Sequence, residues 1–217
     1  MRPFYISVIC IFFFFAFSGT NSYPAEESEY IKAECVIHVH STISSGYLSI
    51  EDYARIAKEK GVDSVIITDN ASYRYEYGLW PLRRILKRTI EKGSILKYGP
   101  RKYLESIEKA NKLYKDVIIM DGAQVTPFYF WTGSVFKGNL TLNNRNKDML
   151  VIGLGDAEGY KNLPLVGNRR SRFDQYHGEK FTEPYQDLID YARQRGALAF
   201  WSHPLLLRLY ITYSLFQ

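Results

Sequence analysis

Between Cys35 and Trp201, short apolar runs alternate with stretches whose apolar residues recur at helical spacing. Cys35 to Val39, Val62 to Thr68, Val117 to Met120, Leu150 to Leu154 and Ala197 to Trp201 read as strands. After the first of them, Ile50, Tyr53, Ala54 and Ala57 fall at i, i+3, i+4 and i+7, the spacing of one buried helix face. The start and stop signals agree, because Ser49 and Asp52 form a capping box and Gly61 ends the helix after Lys60. Pro100 opens a second helix whose Tyr103, Ile107, Ala110 and Tyr114 share a face. A third carries Tyr185, Leu188, Ile189 and Ala192 and is closed by Gly196. Strand–helix–strand units with short links predict parallel strands in an α/β fold, whose working residues sit just past the C-terminal ends of the strands.

The two chain ends break this pattern. Behind Arg2, an apolar run from Pro3 to Phe17 ends at Ala16-Phe17-Ser18, where small residues occupy the positions a signal peptidase reads. Residues 1–18 are therefore expected to be a signal peptide, which makes the protein exported, periplasmic or extracellular, with transient membrane contact through that segment. The alternatives are an uncleaved anchor and a buried helix, although the run is shorter than the about 20 residues of a comfortable span. Residues 19–34, with Pro24, Glu26, Glu27, Glu29 and Glu34, read as a polar linker. Residues 205–217 form an atypical hydrophobic tail, either an interrupted frame or a closing helix. Cleavage after Ser18 would remove Cys10 and leave Cys35 as the single thiol, so stability rests on a packed core rather than on a disulfide. The 217 residues, 46% hydrophobic and 24% charged, suffice for one such core.

Candidate chemistry clusters at the strand ends. His38 and His40 close the first run, and the period of two in a strand sends both imidazoles to one side, an arrangement suited to a divalent metal. Thr68-Asp69-Asn70 closes the second, Gly122-Ala123-Gln124 follows the third, and Ser202-His203-Pro204 follows the last. Read alone, Asp69 is equally suited to capping the following loop and His203 to a turn before proline.

Together, Ile37-His38-Val39-His40-Ser41-Thr42, Ser45-Gly46, the capped helix, Ile67-Thr68-Asp69 and Ser202-His203-Pro204 resemble the polymerase and histidinol phosphatase (PHP) family, in its order and over roughly residues 35–204. The resemblance implies a distorted (β/α)7 barrel, of which about five of seven strands are present, with inserted segments near 73–100 and 127–147. It implies a metal-dependent phosphoesterase acting on a phosphorylated small molecule, with His38, His40 and His203 as metal ligands and Asp69 as the orienting or proton-handling catalytic group. The family's pattern has Asp at Val36, His at Asn70, a bridging Glu at Gln124 and a His near Met149 or Leu150. Asn70 and Gln124 are thus weak or substituted ligand positions, since an amide oxygen is neutral and cannot replace a bridging carboxylate. The site is expected to hold at most one divalent ion, zinc, manganese or iron.

Two further features flank these strand ends. Tyr73 and Tyr75 follow Asn70, and Trp131 follows the Gln124 strand. These are the candidate substrate-binding residues, able to stack on a sugar or base, to dock a partner, or to pack the insertions. From Arg83 to Lys102 eight basic residues face Glu91 alone, a segment suited to phosphates, to an anionic membrane surface, or to a solvated helix face. No module that reads nucleic-acid sequence is present. The rival reading is a catalytically silent envelope binding protein using an aromatic-rimmed barrel mouth.

Overall fold

In the computed structural model, the capping signals at Ser49 and Gly61 act as written. The Ser49 hydroxyl accepts from the Asp52 amide, the Asp52 carboxylate accepts from the Ser49 amide, and Gly61 ends helix α1 (Ile50–Lys60) at φ 71°. The structure describes residues 32–168 and 170–202. The described residues fall almost wholly in one unit, Ala33–Gln217. The expected signal peptide, most of the linker, His203 and the tail lie outside the described residues.

The chain is mixed α/β. Strands β1 (Cys35–Val39), β2 (Ser64–Ile67), β3 (Arg74–Gly78) and β4 (Lys87–Glu91) are followed by helices α2 (Ile95–Tyr98) and α3 (Pro100–Leu113). Then come β5 (Ile118–Val125), β6 (Phe130–Thr132), β7 (Thr141–Asn143) and β8 (Met149–Ile152), and finally α4 (Ala157–Lys161), α5 (Glu183–Gln194) and β9 (Leu198–Trp201). One five-stranded sheet has the order β1-β2-β5-β8-β9. Among the described residues β1 and β9 are its edges.

The first three strands are parallel, as the spacing predicts. The fourth corrects the all-parallel expectation, because β8 pairs antiparallel with β5, Val125 facing Met149 and Gly122 facing Ile152. The reason lies in the link. A parallel return needs a crossover, usually a helix, and residues 126–148 hold only the β6–β7 hairpin and a short 3-10 turn. The chain therefore re-enters the sheet at the end it left and runs back. Strand β9 is antiparallel to β8, so it runs with β1, β2 and β5. The start of β8 consequently lies at the same end of the sheet as the C-terminal ends of the other four strands.

Residues in register share a face. Val65, Ile67, Ile119, Ala123, Val125, Met149 and Val151 pack on the helices through Ala54, Ala57, Tyr103, Ile107, Leu188 and Ala192. The opposite face carries the matched row Ile37, Ile66 and Met120, with Ile37, Ile118 and Leu198 half or more exposed. Tyr103, fully buried, ties the sheet together, its hydroxyl lying 3.1 Å from the Ile67 carbonyl and 2.9 Å from that of Gly122.

The inserted segments form two ribbons, β3–β4 and β6–β7. Between them Tyr75, Tyr129, Trp131, Leu140 and Leu142 make a second core. Its rings meet edge to face, Tyr75 and Tyr129 at 5.0 Å and Tyr77 and Trp131 at 5.3 Å, contacts worth about 0.5–1.5 kcal/mol each beyond burial. The basic segment is not one solvated helix. It is divided among the turn before β4, β4 itself, the link after it, α2 and α3, since the β3 and β4 residues pair in antiparallel register.

Candidate functional site

The histidine pair is built differently from a simple strand end. The β1–β2 register slips between Ile37 and Val39, and His38 sits in this bulge at φ 70°. A non-glycine residue in the left-handed region costs about 1–3 kcal/mol and is typical of functional sites. The period of two is therefore broken, yet the bulge still brings the His38 and His40 rings to 5.4 Å between centroids.

His38 Nε2 lies 3.0 Å from Gln124 Oε1. The orientation of the Gln124 amide follows from its other partner, because its Nε2 donates at 2.7 Å to Asp148 Oδ2, an atom that accepts. Gln124 thus presents its oxygen to His38, and His38 donates from Nε2. Thr126 donates to the second Asp148 oxygen. Asp148, buried and immediately before β8, was not among the residues expected from the sequence. Ser202 reaches the same place, its hydroxyl donating at 2.9 Å to the Asp148 carbonyl.

Asp69 lies two residues past the end of β2 and is fully buried. Its carboxylate does not cap the following loop. It accepts instead from the loop after β1: from the Ser41 amide at 2.7 Å, the Ser41 hydroxyl at 2.5 Å and the Ser44 hydroxyl. The Ser44 and Ser45 oxygens lie 3.2 and 3.1 Å from His40 Nδ1. With its proton committed to Asp69, Ser44 can only accept from His40, so Asp69 orients the imidazole through a hydroxyl. Burial, the largest influence, holds His40 below its usual pKa against the pull of Asp69, and His38 adds to the lowering. Gly46 closes the loop so tightly that a Cβ there would meet the His40 carbonyl oxygen at 1.7 Å.

A cavity of about 360 Å³ opens beside this cluster, lined by His40, Asn70, Tyr73, Tyr75, Gln124 and Asp148 among others. Lys92 and Arg145 bring positive charge to its wall, the Lys92 ammonium standing 5.0 Å over the Tyr73 ring. Beyond the end of β2, Asn70 forms an isolated parallel bridge with Gln124. Tyr75 lines the cavity while buried in the second core. Trp131 is placed apart: its indole N–H donates at 2.9 Å to the Glu76 carbonyl inside that core.

The structure therefore brings together His38, His40, Asn70, Gln124, Tyr73 and Tyr75, sets Asp69 behind His40, and adds Asp148 and Thr126. Among the described residues no group of three or more His, Cys, Asp or Glu side chains could hold a metal ion. The Gln124 amide occupies the direction in which His38 Nε2 would face an ion, and the Asp148 carboxylate is engaged by Gln124 and Thr126. The described residues do not fit a two-metal centre. No described helix is long and apolar enough to cross a membrane.

No family model matches the chain, and no curated protein matches it. Among solved structures it is similar to a two-domain protein containing a predicted PHP-like metal-dependent phosphoesterase from Bacteroides vulgatus, at 20% identity and a TM-score of 0.43. That match covers 82% of this chain and 37% of the other, so the chain spans well under half of that protein's length.

Proposed function

We propose that the protein is a PHP-type, phosphoesterase-like hydrolase with a reduced metal centre, and that its substrate class is a phosphorylated small molecule. The observation that supports this most is the chain His38–Gln124–Asp148 at one sheet end. Two imidazoles converge where such a hydrolase would work, but a neutral amide stands between them and the buried carboxylate. An amide brings no charge to offset a second cation, so the full chain is expected to bind at most about one divalent ion and to turn over slowly. Asp69 serves as a positioning residue for His40. The substrate class draws on the cationic wall, since Lys92 and Arg145 suit a phosphate and the Tyr73 ring suits what the phosphate is attached to.

The same cavity favours a second reading, ligand binding in the cell envelope without turnover. Metal analysis by mass spectrometry on purified full-length protein, with an aryl-phosphate assay, tests both. Two or more tightly held ions with turnover would overturn the reduced centre. Turnover with one ion supports the hydrolase, and phosphate-ester binding without turnover supports the second reading.

A further inference from the structure

The turn between β3 and β4 carries a surface that the candidate site does not use. Leu79 to Leu86 places Trp80, Leu82, Ile85 and Leu86 in solvent, at 78%, 48%, 75% and 51% exposure. Four large apolar side chains within seven residues are a concentrated patch for a protein surface. No acidic residue lies between Leu79 and Ile90; Arg84 sits within the apolar group and Lys87 and Arg88 directly follow it, all exposed.

The display is built rather than frayed. Leu79 N–H donates to the Leu86 carbonyl at 2.8 Å, and Ile85 and Leu86 N–H both donate to the Leu82 carbonyl at 2.9 and 2.8 Å. Arg83 turns the other way, its guanidinium 4.1 Å over the Tyr176 ring, and Gly78 N–H donates at 2.6 Å to the Tyr176 hydroxyl. Gly78 is required there, because a Cβ would stand 2.2 Å from the Arg83 carbonyl oxygen. One arginine thus anchors the turn while the neighbouring apolar residues point away from the fold.

We propose that this turn docks on an anionic lipid surface, Trp80, Leu82, Ile85 and Leu86 entering the headgroup boundary while Arg84, Lys87 and Arg88 meet phosphates. Exposed apolar residues in the turn, with one cation among them and two more at the start of β4, match the chemistry of a bilayer interface, where hydrocarbon lies beside negatively charged headgroups. Tryptophan is the side chain most at home at that depth. A protein partner would have to present a pocket both apolar and acidic. The pair between Lys87 and Glu76, 3.0 Å apart and partly exposed, is of the weak kind that yields to a phosphate. This inference is independent of the hydrolase reading.

The test is co-sedimentation of the full chain with vesicles of phosphatidylcholine alone and of an equimolar mixture with phosphatidylglycerol. Residues 1–31 are common to every variant, so differences between variants report the turn. The unaltered chain should prefer the anionic vesicles, and the preference should fade with salt. Ile85→Ser with Leu86→Ser should weaken binding by about tenfold or more, and Arg84→Gln with Arg88→Gln by about fivefold for each charge. Trp80→Phe should keep binding but lose the blue-shifted emission and the quenching by brominated lipid. If the serine pair lowers the melting temperature, the arginine and Trp80 variants carry the test alone. Equal sedimentation of all variants, or equal binding to neutral vesicles, would overturn the proposal. So would a lipid-free dimer that the serine pair abolishes, since the turn would then be a contact between two copies.

Discussion

Replacing Gln124 by glutamate probes the centre of the site with a change of one atom. The Gln124 amide donates at 2.7 Å to Asp148, so Gln124→Glu removes a hydrogen bond to a charged acceptor, worth about 1.5–3 kcal/mol, and sets two carboxylates against each other. At about 4 Å and an effective dielectric of about 20, their repulsion is about 4 kcal/mol. Two effects limit the cost. His38 Nε2 keeps its acceptor, now a charged one. The pair can also take up a proton, which restores a hydrogen bond between the two side chains, and since each pH unit between an ordinary carboxyl near 4 and neutrality is worth about 1.36 kcal/mol, the total cost at pH 7 is capped near 4 kcal/mol.

The expected loss is therefore about 2–4 kcal/mol at pH 7, read as a fall of roughly 5–15 °C in melting temperature for a domain of this size. The loss should shrink toward pH 5 as the pair protonates. It should also be reversed by zinc or manganese, because two imidazoles and two carboxylates form a coordination set that the unaltered residues do not. Thermal melts in a chelator, at both pH values and with added metal, check each step. A variant that melts with the unaltered protein in chelator at pH 7 would show that Gln124 and Asp148 do not meet. A loss unrelieved by acid and by metal would show a packing fault rather than opposed charge.

Asp69→Asn should cost at least about 3 kcal/mol in chemical denaturation, because a fully buried amide would face donors from Ser41 and Ser44 that now meet a charged acceptor; a stable, inactive variant would instead make Asp69 a group that handles protons. Gly46→Ala should destabilise by about 2 kcal/mol or more and disturb the His40 ring resonances, since its Cβ would overlap the His40 carbonyl; a neutral effect would mean that the loop is free to move. Burial pushes Tyr129 up to about 12, so its folded-state pKa lies above the unfolded value near 10. Its stabilising contribution is complete below pH 10 and is lost as pH rises towards 12. In a phenolate absorbance titration, the difference between the unaltered protein and Tyr129→Phe should be absent from the first wave near pH 10 and appear only towards pH 12.

Local signals carried most of the fold. The capping box at Ser49, the face of Ile50, Ala54 and Ala57, Gly61, and the face of Tyr103, Ile107 and Ala110 all depend on neighbours within a turn or two, which is why spacing reveals them. Two departures from the sequence reading arose from pairings that local spacing does not encode. The His38 bulge depends on how β1 meets β2. The direction of β8 depends on what residues 126–148 form, and a link of that length serves equally for a crossover or for a hairpin. Asp148 was missed through that second error. If β8 were parallel, a residue before it would lie at the far end of the sheet; antiparallel, it lies beside Gln124.

The two buried carboxylates at this sheet end illustrate why position alone does not assign a role. Asp69 comes from the strand end where chemistry is sought, yet its recorded donors, Ser41 and Ser44, belong to the single loop after β1. Removing it would open that loop, and its influence on His40 passes through a hydroxyl. Asp148 comes from just before a reversed strand, and its donors include Gln124 and Thr126, neighbours at the end of β5. One of them also holds His38. A change at Gln124 is therefore felt by an imidazole and a carboxylate together, whereas a change at Ser41 is felt first by the fold. The Gln124 amide therefore joins His38 to Asp148, while the Asp69 network holds the loop whose Ser44 hydroxyl meets His40.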